Sequence, residues 1–124
     1  MNLARLYAIA FGAVYTAVGL IGFAVSSTLA TANLVIFPVN VLHNLVHLLV
    51  GLVGIAAFAT GRQVAYCRAM AVVFALVTVA GFLPQPLLGV LPIGGADIPL
   101  HAATALLAAL AGWAYVGAAR RQPA

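Results

Sequence analysis

Residues 37–54 read FPVNVLHNLVHLLVGLVG. Two histidines, His43 and His47, stand one helical turn apart at the head of a long apolar run. Asn40 and Asn44 sit beside them, and glycines follow at 51 and 54. The rest of the chain explains why such polar density is unusual. Of 124 residues, 66 % are hydrophobic and 5 % charged, whereas soluble domains carry about a quarter charged residues. A chain with so little polar surface belongs in a lipid bilayer, which is its first expected partner.

Outward from that stretch, four apolar spans emerge near Leu6–Val25, Val41–Thr60, Val64–Leu83 and Ile98–Gly117. Each has about the twenty residues a helix needs to cross roughly 30 Å of hydrocarbon. Lipid offers no partner to free backbone groups, so the spans are predicted to be helices. Gly61 is a plausible C-cap for the second, giving a tight turn into the third. The first span resembles a secretory leader, with Arg5 before it and Ala30-Thr31-Ala32 after it. Its apolar run exceeds the usual leader core of roughly 7–15 residues, so it is read as a membrane helix.

The net charge of +4 comes from Arg5, Arg62, Arg68, Arg120 and Arg121 against Asp97, with no lysine. The arginines are scattered between apolar spans and form no basic face, which argues against nucleic acid. They read instead as topology signals. All five lie before span one, around the turn between spans two and three, or after span four. The positive-inside rule therefore predicts a cell-membrane protein with both termini cytoplasmic. His43, His47, Asp97 and His101 would then lie toward the outer side. The two outer loops, 26–40 and 84–96, carry short apolar runs ending at Pro38 and Pro92, and are expected to form lids over the helix ends. Pro84, Pro86, Gly94 and Gly95 break any long helix in the second. The lone cysteine, Cys67, permits no internal disulfide and reads as a small apolar filler. Tyr7, Phe11 and Tyr15 make a helix-packing stripe, with Tyr7, Trp113 and Tyr115 as interfacial anchors. Arg68 is expected to snorkel.

The second half echoes the first. Aligning Pro38 with Pro92 pairs Val39 with Ile93, His43 with Asp97, His47 with His101, Gly51 with Ala105 and Gly54 with Ala108. With a change in loop length, Tyr7 matches Tyr66, Tyr15 matches Phe74, and Gly22-Phe23 matches Gly81-Phe82. The expectation is one membrane domain over 1–124, an all-α four-helix bundle of two parallel-repeat hairpins, about 1–61 and 62–124. Helices two and four would face one another. Their contact would run along the small residues Gly51, Gly54, Ala105, Ala108 and Gly112, which let backbones approach closely in lipid.

At these residues the chain resembles an uncharacterised family of small bacterial membrane proteins, catalogued as a domain of unknown function. The shared motif, Pro-x-Asn-x-x-His-Asn-x-x-His-x-x-x-Gly, is met by Pro38, Asn40, His43, Asn44, His47 and Gly51. An acidic residue four positions before a histidine is met by Asp97 and His101. Gly94 departs from the repeat, standing where a counterpart of Asn40 is expected. The resemblance implies a four-helix membrane fold and brings no activity.

Histidines at i and i+4 share a helix face with Cβ atoms about 5–6 Å apart, close enough to bind one metal ion. His101 and Asp97 would complete a set of three histidines and a carboxylate, suited to a divalent transition metal. Asn40 and Asn44 would give second-shell support. A b-type haem held by His47 and His101 is an alternative. A purely structural role is another: Asp97 and Asn40 as helix caps, the histidines in interhelical hydrogen bonds, and the protein an accessory subunit, a homo-oligomer or part of a larger membrane complex. Transport sites usually lie near the midplane, where this chain has glycine and alanine. Hydrolytic chemistry fares worst, since Asp97 is the only acidic side chain and no nucleophile-base spacing occurs.

Overall fold

The computed structural model describes residues 1–114. It contains four helices: α1 (Leu3–Val25), α2 (Val41–Ala59), α3 (Gln63–Ala80) and α4 (Asp97–Ala109), the last continued by a π-helical turn, Leu110–Ala114. All four are long and apolar enough to cross a membrane when the π turn is counted with α4. The expected fourth span runs past the described residues, as do Tyr115, Arg120 and Arg121.

The chain is mostly helical, with one departure from the all-α expectation. Residues 26–40 hold a miniature antiparallel hairpin, β1 (Ala32–Leu34) against β2 (Phe37–Val39), with Leu34 opposite Phe37. Its two-residue turn places Val35 at φ +61°, a position usually given to glycine and rare for a β-branched side chain. That residue choice hides the turn from sequence inspection. The loop between α3 and α4 makes a similar tip, where Leu87 and Leu91 exchange two backbone hydrogen bonds around Leu88 and Gly89, both at positive φ. Val35 and Leu88 project into the surroundings.

Caps explain the helix ends. Asn2 Oδ1 accepts from the Arg5 amide at 2.8 Å, and Asn40 Oδ1 accepts from the His43 amide at 3.0 Å, each satisfying a first-turn donor. Gly61, at φ +75°, lets the Arg62 amide reach back to the Ala57 carbonyl at 2.9 Å, a Schellman closure.

The closest helix pairs are α1 with α2 and α3 with α4; α1 and α3 also touch. Helices α2 and α4 are not among the closely packed pairs, which corrects the expected face-to-face contact. The glycines show why. A Cβ on Gly51 would strike the α1 backbone at Gly12 O and Thr16 N, and one on Gly19 would lie 2.8 Å from Leu48 N. Gly51 therefore seats α2 on α1, not on α4. Gly54 faces Ala8 O of α1 and the Tyr66 hydroxyl, and Gly112 faces Arg68 of α3. Ala108 is buried and Ala105 packs at the edge of the core. Small residues do mark close approaches here, but mainly inside each hairpin.

The core between the hairpins is aromatic. Tyr15 stacks on Phe74 at 5.4 Å between ring centroids, and Tyr7 lies 6.2 Å from Tyr66. Tyr7 is buried, so it does not serve as the expected interfacial anchor. Its hydroxyl donates to the Thr104 carbonyl at 3.4 Å, and the Tyr66 hydroxyl to the Val50 carbonyl at 3.0 Å. Cys67 is buried among these groups as apolar filler. Arg68 donates through Nε to the Gly112 carbonyl at 2.9 Å and lies over the Trp113 ring. A π turn leaves carbonyls off the regular ladder, and Arg68 serves one of them.

Candidate metal centre

Helix α2 delivers His43 and His47 to one face, four residues apart, and α4 delivers His101 from the other hairpin. All three are buried, and one ring nitrogen from each lies within 4.8 Å of the others. The His43 and His47 rings are 4.3 Å apart between centroids, and His43 and His101 6.2 Å. The side chains converge although the α2 and α4 backbones do not pack closely, because imidazoles bridge the gap.

Hydrogen bonding separates the roles of the three rings. His43 Nδ1 lies 2.9 Å from the Pro38 carbonyl. A carbonyl only accepts, so Nδ1 carries the proton and Nε2 keeps a free lone pair. His47 Nδ1 and His101 Nδ1 are buried with no hydrogen-bond partner. Each such orphan costs about 1–3 kcal/mol. A cavity of about 50 Å³ opens beside the rings, walled by Val46, Val50, Phe74 and Ile93 among others. That admits a metal ion and a water or two. It does not admit a porphyrin, since ligand pockets start near about 300 Å³. The haem alternative therefore does not fit.

Asp97 is placed differently from expectation. It is the first residue of α4, and no side chain caps that helix, so the capping role falls away. Its Oδ2 is buried without a hydrogen bond and lies 3.7 Å from His43 Nδ1. Asp97 thus stands behind His43 and outside the close set of three nitrogens.

Asn40 and Asn44 hold the surroundings. Asn40 Nδ2 donates to the Leu29 carbonyl at 3.1 Å and the Val90 carbonyl at 2.6 Å, one from the α1–α2 loop and one from the α3–α4 loop. With its cap on α2, this single buried amide ties both loops to the helix that carries two of the histidines. Asn44 Nδ2 donates to the Ser26 carbonyl at 2.9 Å, and its amide fills the space that Gly22 leaves open on α1. Among the described residues neither amide bonds an imidazole.

Sequence inspection missed Thr104, Tyr15 and Phe74 as neighbours of the cluster. Tyr15 packs on His47 at 5.2 Å and Phe74 on His101 at 5.5 Å. The Thr104 hydroxyl donates to the Leu100 carbonyl at 2.9 Å and pairs with the Tyr15 hydroxyl at 3.2 Å. The repeat alignment of Tyr15 with Phe74 was the available signal. An aromatic matched across two repeats is a candidate for the seam between them.

No curated protein and no solved structure gives a significant match to the chain. A family model matches residues 5–114, nearly all that the structure describes. With its four helices and its match over residues 5–114, the chain belongs to the family described as Domain of unknown function (DUF4383).

Proposed function

We propose that this is a multi-pass protein of the cell membrane whose three histidines hold one transition-metal ion near the outer face. The observation that carries the proposal is the convergence of three buried ring nitrogens within 4.8 Å, two of the rings having an unpartnered Nδ1. Metal–nitrogen bonds of about 2.0–2.1 Å in a tetrahedral site put ligand nitrogens about 3.3 Å apart. A small rotation of the imidazoles closes that difference. His43, His47 and His101 would supply three nitrogen ligands, and the adjoining cavity has room for water. The Pro38 carbonyl fixes the His43 ring through Nδ1, as second-shell acceptors do for metal-bound histidines, while the Asp97 carboxylate, 3.7 Å away, would offset part of the ion's charge through space. Asn40 and Asn44 support the centre one step further out, by fixing the N-terminus of α2 and the lids.

Two further parts of the proposal concern architecture. The chain is two parallel hairpin repeats around a pseudo-two-fold axis along the membrane normal. Repeat-matched residues touching each other support this, as Tyr7 does Tyr66 and Tyr15 does Phe74. So does the reciprocal bonding of Tyr7 to Thr104 and Tyr66 to Val50, which are equivalent positions in the His47–His101 register. The arginine distribution places both termini in the cytoplasm.

Elemental analysis of protein purified in detergent without chelator tests the metal. The wild type is expected to carry about one ion per chain. His47→Ala and His101→Ala are expected to fall to background, because each removes one of three ligands. Asp97→Asn should keep the ion but release it about 10- to 100-fold more readily to a chelator. A wild type at background would leave the histidines a structural role only.

A further inference from the structure

The seam between the hairpins is open on the side opposite the histidines. A groove of about 540 Å³ runs between α2 and α3 from the short turn at residues 60–62 to the level of Val53 and Met70. From Thr60 to Val53 is seven residues, about 10 Å along the helix. Its walls are alanines, Ala56 and Ala57 on α2 with Ala65 and Ala69 on α3, and the Tyr66 ring closes part of the floor. Alanines too small to meet across the seam leave the space between the helices. Arg62 stands at its mouth, exposed.

Among the described residues nothing answers the charge at that mouth. The one acidic side chain, Asp97, is buried beside His43, near the start of α2, while Arg62 follows its end. Nineteen residues of helical rise separate the two levels by roughly 28 Å. Arg5 stacks over Phe58, and Arg68 bonds Gly112 and covers Trp113. Among the described residues the Arg62 guanidinium has neither kind of partner. An apolar trough with an uncompensated cation at its water-facing end matches one kind of occupant: a molecule with a hydrocarbon tail and an anionic head.

We infer that this groove binds an acidic phospholipid, its phosphate on Arg62 and the upper part of an acyl chain along the alanines. The inference rests on the bilayer placement proposed above and is independent of the metal. A second copy of the chain would bring another Arg62, and no acidic side chain reaches this end to receive it. A free phosphate would leave the apolar trough unfilled.

The test uses the full chain in nanodiscs of equal phosphatidylglycerol and phosphatidylcholine, released into native mass spectrometry. The wild type is expected to retain phosphatidylglycerol about fivefold over phosphatidylcholine, the preference that one basic residue confers near an anionic surface. Arg62→Gln should bring the ratio close to one, and Arg62→Lys should restore most of it. Ala69→Phe should lower the total lipid retained by filling the trough. Arg5→Gln, on another helix and already stacked, should leave the ratio unchanged. A wild-type ratio near one, an unchanged ratio in Arg62→Gln, displacement of the lipid by millimolar inorganic phosphate, or a lipid-free dimer cross-linked through Ala65 would each overturn the inference. Failure to enter nanodiscs at all would instead overturn the bilayer placement itself.

Discussion

Asn40→Ala is expected to lower stability by about 4 kcal/mol and to loosen the whole histidine end of the bundle. Three bonds disappear with one side chain. The cap on the His43 amide accounts for about 1 kcal/mol. The bonds to the Leu29 and Val90 carbonyls leave two partly buried acceptors without a donor, at about 1–3 kcal/mol each. Asn40→Ser separates the contributions. A serine hydroxyl keeps an acceptor for the His43 amide and is too short to reach either loop carbonyl, so its cost should be about 1 kcal/mol smaller than that of alanine. Unfolding in mixed micelles with increasing sodium dodecyl sulfate measures both variants. Equal losses for Ser and Ala would show that the cap contributes nothing. No loss in either would show that the loops are held by other means.

Gly51→Ala is the second large effect, expected at about 3 kcal/mol or more. The added Cβ meets α1 backbone atoms at Thr16 N and Gly12 O, and backbone cannot move aside without separating the two helices. Overpacking of this kind typically costs about 1–3 kcal/mol, occasionally more, and here it acts on the closest helix pair. Gly54→Ala is the comparison. Its Cβ meets chiefly the far end of the Tyr66 side chain, 2.7 Å from the hydroxyl. The ring can shift, at the expense of its bond to Val50, so a loss of about 1–2 kcal/mol is expected. The same detergent titration ranks the two. If Gly54→Ala costs more than Gly51→Ala, the close seam does not lie between α1 and α2.

These glycines also show where the sequence is legible and where it stops. A glycine in an apolar span announces a close approach, and Gly51, Gly54 and Gly112 each abut a neighbouring helix. It does not say which helix approaches. Pairing α2 with α4 followed from the symmetry of the histidines, whereas the structure pairs α2 with α1 and lets long imidazoles span the wider gap. The apolar spans were readable because lipid-crossing length and composition leave a strong signal, and the Asn40 cap was readable because its chemistry is local. Asp97 was readable in two ways, as a cap before Ile98-Pro99 and as a fourth member of the histidine set. Its carboxylate lies 3.7 Å from His43 Nδ1, a contact that depends on how the hairpins meet. Thr104 and Tyr15 were hidden for the same reason: hydroxyls bonded across the bundle leave no pattern along the chain. The β1–β2 hairpin was missed because Val35 occupies a turn position where glycine would have marked it.

The account turns on whether the three histidines share an ion, and X-ray absorption at the edge of the metal that accompanies the purified protein measures that most directly. The predicted result is one ion per chain, with three imidazole nitrogens at about 2.0–2.1 Å and loss of that shell in His101→Ala. A spectrum showing only oxygen or sulfur neighbours, or one unchanged in His101→Ala, would contradict it, as would protein carrying no metal above background.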